Sequence, residues 1–100
     1  MSRHAGYCCY MRVRTKPERR DEFVSLVTEL RRQVLQNEPD TLTFELLQSS
    51  QPNEFVFFEC FTDKAAQERH QYQPYHVAMS EAGWACLDGD PVIEFMEPAV

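Results

Sequence analysis

Apolar residues alternate with others from Gly6 to Thr15 (GYCCYMRVRT), placing Tyr7, Cys9, Met11 and Val13 on one face and Cys8, Tyr10, Arg12 and Arg14 on the other. That is the period of a strand. The first set is expected to lie under helices. The second mixes aromatic, thiol and guanidinium groups, which suits a cavity wall or a partner-facing surface, unless Arg12 and Arg14 simply reach solvent at the strand's end. The period then changes: Phe23, Val27, Leu30 and Val34 recur at i, i+4, i+7 and i+11, while Arg19, Glu22, Glu29, Arg32 and Gln33 take up the other sides. This predicts the main covering helix. Pro17 fits its first turn, where a missing N–H costs nothing. Pro39 pushes Glu38 out of helical geometry and ends it near Asn37.

TLTFELLQ, Thr41 to Gln48, alternates again and reads as a strand, with SSQPN as the following turn. Phe55 to Phe61 is apolar except for Glu59, the composition of a central strand covered on both faces, and the short connection makes the two an antiparallel hairpin. Thr62 and Asp63 offer a helix N-cap before KAAQERHQYQ, and Pro74 stops that helix and restarts the chain as YHVAMSEAGWAC. LDGDP leads into a last strand, Val92 to Met96. The order β α β β α β predicts an α+β, ferredoxin-like split β-α-β fold, a four-stranded antiparallel sheet with its helices on one face. The other face is left uncovered. Burying its apolar residues is worth about 25 cal/mol per Å², and a second copy is the obvious cover, so a homodimer forming a dimeric α+β barrel is expected.

One hundred residues form a single domain, 1–100, with 1–5 as a loose N-terminal end. A net charge of −6 and dispersed arginines argue against nucleic acid. No run of about 18 apolar residues exists to cross a membrane, and MSRHAGYCCY lacks a signal peptide's apolar core, which points to the cytoplasm. Cys8, Cys9, Cys60 and Cys86 include no C-x-x-C, so free thiols are expected and no metal. Neither G-x-G-x-x-G nor G-x-x-x-x-G-K occurs, and with only Gly6, Gly83 and Gly89 a phosphate-cradling loop is hard to build. No nucleotide cofactor is expected. HExxH and G-x-S-x-G are absent too.

Chemistry is therefore sought in single side chains. His70 shares a helical stripe with Ala66 and has the ordinary pKa of a base at neutral pH, or else is a core-edge histidine bonded to backbone or to Glu59. Glu59, a carboxylate in an apolar strand, must be paired or protonated, and is an orienter for His70, an acid, or half of a structural pair with an arginine such as Arg12. Tyr10, Phe44, Tyr72 and Trp84 either line an aromatic pocket or fill the core. Tyr75 shares a stripe with Met79, Ala82 and Cys86 and reads as core.

FVFFECFTDKAAQERHQYQPYH, with TKPE, NEPDTLTFEL and LDGDPVIEFMEP, resembles the antibiotic-biosynthesis monooxygenase family of small dimeric α+β barrels. The resemblance implies a cofactor-independent monooxygenase that oxidises a small phenolic or hydroquinone-like substrate with O₂ in an apolar cavity. His70 and Glu59 would be the catalytic residues, His70 as the base. Tyr10, Arg12, Phe44, Tyr72, His76 and Trp84 would surround the substrate. Pro74-Tyr75-His76 departs from the family's usual Pro-His-aromatic order and turns the histidine about 100° further round a helix. Haem-degrading relatives use an asparagine on the first strand, whereas Asn37 and Asn53 lie outside it. The alternatives are an isomerase of a small metabolite, a noncatalytic ligand-binding dimer, or a structural dimer whose own side chains fill the cavity.

Overall fold

The computed structural model describes residues 4–100. Of the expected loose N-terminal end, residues 1–3 lie outside the described residues. Strand β1 (Tyr7–Arg14) leads through a 3₁₀ turn (Pro17–Arg19) into helix α1 (Arg20–Asn37). The β2 (Thr41–Gln48) and β3 (Glu54–Phe61) hairpin follows, then α2 (Lys64–Gln71), α3 (Pro74–Ala85) and β4 (Val92–Met96). The sheet is antiparallel throughout, in the order β2-β3-β1-β4, which is the ferredoxin-like arrangement the element order predicts. No helix among the described residues is long and apolar enough to cross a membrane.

The stripe read from the sequence, Phe23, Val27, Leu30 and Val34, is buried against Val13, Phe44, Phe55, Phe57 and Cys86. Aromatic edges lock this layer: Phe57 meets Phe23 and Phe44 in T-shaped contacts at 6.0 and 6.1 Å. Gly6 donates its N–H to Phe61 O, and a Cβ there would come within 2.2 Å of Thr62 O, so only glycine fits where the chain enters β1. Asp63 caps α2 by accepting from the Ala66 N–H at 2.8 Å, a bond of the kind worth about 1 kcal/mol. The cap sets the helix phase that buries Ala66 and His70 together. Helix α3 has no fully buried residue and no basic residue in its last turn. Lys16 and Arg19 instead reach across to donate to the Ala85 carbonyl, satisfying that end from another element.

β3 is central, as expected, but within one chain only its helix side is covered: Phe58 remains 37% exposed on the other. The pairing puts Glu59 opposite Cys9 and Phe44, on the helix side, and Arg12 opposite Val56, on the open side. Arg12 therefore pairs with Glu54 at 3.5 Å, not with Glu59.

All four thiols are free. Cys8 and Cys60 face each other across β1 and β3 with their sulfurs 2.7 Å apart. Burial, and for Cys60 the neighbouring Cys8, pushes the Cys9 and Cys60 thiols up to about 12, far from the reactive thiolate range. Labelling the denatured, unreduced protein with a thiol reagent is expected to give four adducts per chain. Two adducts would mean that the Cys8 and Cys60 pair had oxidised.

Candidate active site

Between α1, α3 and the helix side of the sheet lies a cavity of about 80 Å³. Its wall is built mainly of apolar side chains, among them Phe23, Phe44, Phe57, Met79 and Trp84. Two ionisable groups interrupt it, Glu59 from β3 and His76 from α3. Each arrives there for a local reason: the pleat turns Glu59 to the helix side, and Pro74 starts α3 two residues before His76, so that His76, Ser80 and Gly83 follow one another along the cavity at helical spacing.

Behind this wall stands His70, only 2% exposed. Its Nδ1 is 2.8 Å from Glu38 Oε1, and its Nε2 is 3.2 Å from Glu59 Oε1, close enough for charge attraction though without hydrogen-bond geometry. Glu38 also accepts from Thr41 Oγ1 at 2.8 Å and from the Tyr75 hydroxyl. The His70 and His76 rings meet edge to face with centroids 4.6 Å apart, and Phe44 and Phe61 pack against His70. Burial works against a charged His70, but the hydrogen bond to Glu38 and the negative charges of Glu38 and Glu59 outweigh it and push the ring up to about 9. At neutral pH it is an imidazolium. Burial likewise opposes charge on Glu38, yet its bonds from His70 and Tyr75 hold it below the usual carboxylate range. For His76 burial and the charge of His70 act together and lower its pKa, against a weaker opposing pull from Glu59 and Glu38. The site therefore pairs a charged ring with a neutral one. On the far side of His70 a second, polar hollow of about 90 Å³ is lined by Glu38, Thr41, Arg69 and Gln73.

A family model described as antibiotic biosynthesis monooxygenase matches residues 6–82. The chain belongs to the antibiotic biosynthesis monooxygenase family. Among solved structures it is similar to a Caulobacter crescentus protein described as a candidate antibiotic biosynthesis monooxygenase, at 23% identity and a TM-score of 0.90, covering 96% of this chain and 92% of that one. A conserved Methanosarcina mazei protein superposes at 0.88 with 19% identity, covering 93% and 92%. A structure described as antibiotic biosynthesis monooxygenase superposes at 0.86 with 24% identity, covering 94% and 99%. At these identities the likeness establishes the fold. No curated protein matches the sequence.

On this antibiotic biosynthesis monooxygenase fold the residues singled out from sequence separate into three groups. Phe44, Glu59, His76 and Trp84 share the cavity wall, and His70 stands directly behind it. Tyr10 and Arg12 do not belong to this cavity, because β1's alternation sends them to the opposite face of the sheet. Tyr72 does not either: it follows the last residue of α2 and swings outward, 73% exposed. Tyr75 packs partly on the core, as its stripe predicts, but its hydroxyl is spent on Glu38. Sequence reasoning missed Glu38, seen there only as the residue before a helix-ending proline. Its partner His70 lies 32 residues away, and the one local signal was a carboxylate where the chain leaves a helix. Among the described residues no group of three or more His, Cys, Asp or Glu is arranged to hold a metal ion.

Proposed function

We propose that this protein is a cofactor-independent monooxygenase that oxidises a small phenolic or hydroquinone-like compound with O₂. The observation that carries the reading is the cavity wall, mainly apolar, with the Ser80 hydroxyl and only two ionisable groups: a carboxylate, and an imidazole whose surroundings keep it neutral. We assign the proton-accepting role to His76 and not to His70, because His70 lies behind the wall and is already protonated at neutral pH. His76 takes the phenolic proton. Excluding water leaves the resulting anion poorly solvated and electron-rich, and it passes electrons to O₂ directly. The substrate supplies all four electrons: one ring C–H of the hydroquinone becomes C–OH, the hydroquinone becomes the quinone, and the second oxygen atom leaves as water. Glu59, beside His76, stabilises the imidazolium formed in the first step.

The cavity's size bears on how a ring enters. An apolar cavity of about 150 Å³ accepts benzene, so a phenol here requires Met79 and Trp84 to give way, and both sit on the lightly buried α3. Oxygen uptake with a panel of hydroquinones and no added cofactor tests the reading, and consumption that follows protein concentration is expected. Thermal stabilisation by the same compounds with no uptake would replace it with a ligand-binding dimer.

We also propose that a second copy covers the open sheet face, where Leu47, Phe58, Val92 and Met96 are exposed. Sedimentation should give a homodimer, with an interface of at least about 1,000 Å². A monomer at micromolar concentration would refute it.

A further inference from the structure

Near the imidazole on the cavity wall stands a carboxylate that does not itself line the cavity. Glu38 sits where α1 ends, its backbone N–H still closed on Val34 O at 2.9 Å. Its side chain is buried, and it accepts from donors on three other elements: Thr41 of β2, His70 of α2 and Tyr75 of α3. Charge-assisted bonds of this kind are the strong ones, and a carboxylate held by donors from three directions is fixed in orientation. Helix α3, which carries His76, has no fully buried residue to hold it in register. The Tyr75 hydroxyl is thus a tether at its first turn.

We propose that Glu38 is a positioning residue for His76: through Tyr75 it fixes the first turn of α3, and through His70 it holds a positive ring against His76, so that a neutral imidazole faces the cavity. This rests on the monooxygenase reading for its purpose but not for its geometry. The groups that bear on His70 come from every side. Glu38 faces it from the end of α1, Glu59 from β3 and His76 from α3, Tyr75 reaches it only through Glu38, and Arg69 on its own helix pairs with Asp40 at 3.0 Å. With Glu38 made neutral, His70 keeps only Glu59, at a poor angle, against the full cost of burial.

NMR titration of the ring resonances in the whole protein tests this without any substrate. In the wild type the His70 midpoint is expected near 9 and that of His76 below 6.5. Glu38→Gln preserves size and removes charge, and should lower the proton affinity of His70 at least tenfold and narrow the gap between the two rings. Tyr75→Phe keeps the charge and cuts the tether: amide exchange in the first turn of α3 should quicken at least tenfold, and the His76 midpoint should rise as the ring gains water. A His70 midpoint unmoved in Glu38→Gln overturns the proposal. If that variant does not fold, Tyr75→Phe decides it, with unchanged exchange and an unchanged His76 as the overturning result. Once turnover is in hand, Glu38→Gln should lower kcat with little change in KM, because Glu38 makes no part of the cavity wall. Shifted midpoints with no oxygen uptake by the wild type would overturn the oxygenase and leave the role of Glu38 standing; uptake with unmoved midpoints would do the reverse.

Discussion

Replacing His76 with glutamine is expected to lower the turnover of an oxidised phenol by about 10²- to 10⁴-fold, the range for losing a general base. The fold should survive, because His76 is only partly buried and a glutamine can keep polar contacts with Ser80, one turn on, and with the Gln71 backbone. The pH profile carries the sharper test. A base must be unprotonated to work, so kcat/KM should rise with pH through a midpoint below 6.5, lowered by burial and by the charge of His70. A second break is expected as pH passes about 9, where His70 loses its proton and no longer depresses the basicity of His76. The two limbs belong to a coupled pair of rings, not to either alone. His76→Gln should abolish the acid limb. A variant that turns over at the wild-type rate with the same profile would move proton acceptance to Glu59, the other ionisable group on the wall.

The fold was legible because its determinants are local and periodic. The α1 stripe, the alternation in β1 and the stop at Pro39 each follow from residues within a few positions of one another, and element order then leaves little choice of sheet order. The site was legible only in part. Alternation had already put Tyr10 and Arg12 on the side away from Met11 and Val13; what it could not say was which side holds the cavity. Aromatic character carries no direction either, which is why Trp84 reaches the wall and Tyr72, one residue past a helix end, does not. Helix α3 carries the Tyr75, Met79, Ala82 and Cys86 stripe, of which Tyr75 and Met79 pack on the core, but it bears apolar residues on other sides too, where Val77 and Trp84 remain about half exposed. Hence the side facing inward depends on where Pro74 starts the helix and where Glu38 holds Tyr75. Pairings between distant elements, such as Glu38 with His70, leave no period to read.

Those pairings also change what a mutation at His70 means. From sequence, His70→Ala reads as the clean loss of a base; in the structure it removes the cation between two buried carboxylates, and its main effect should be on stability. Breaking a buried pair by deleting one partner typically costs about 3–5 kcal/mol, because the charge left behind is uncompensated, and here two are left facing one another. The pH dependence identifies the cause. His70 titrates at about 9 in the folded protein against 6.5 ordinarily, so its contribution, on the order of 3 kcal/mol, is fully present below 6.5 and lost as pH rises through 9. Glu38 acts at the acid end, its contribution present above 4.5 and lost as pH falls, since its folded pKa is depressed. Urea unfolding of the wild type should therefore show stability declining from near pH 6 to about pH 10. In His70→Ala that decline should flatten, and acid should become stabilising, because protonating either Glu38 or Glu59 relieves the repulsion between them. A loss below about 1 kcal/mol with the wild-type slope retained would mean that water, not His70, keeps the two carboxylates apart, and that the ring is held by Phe44 and Phe61 alone.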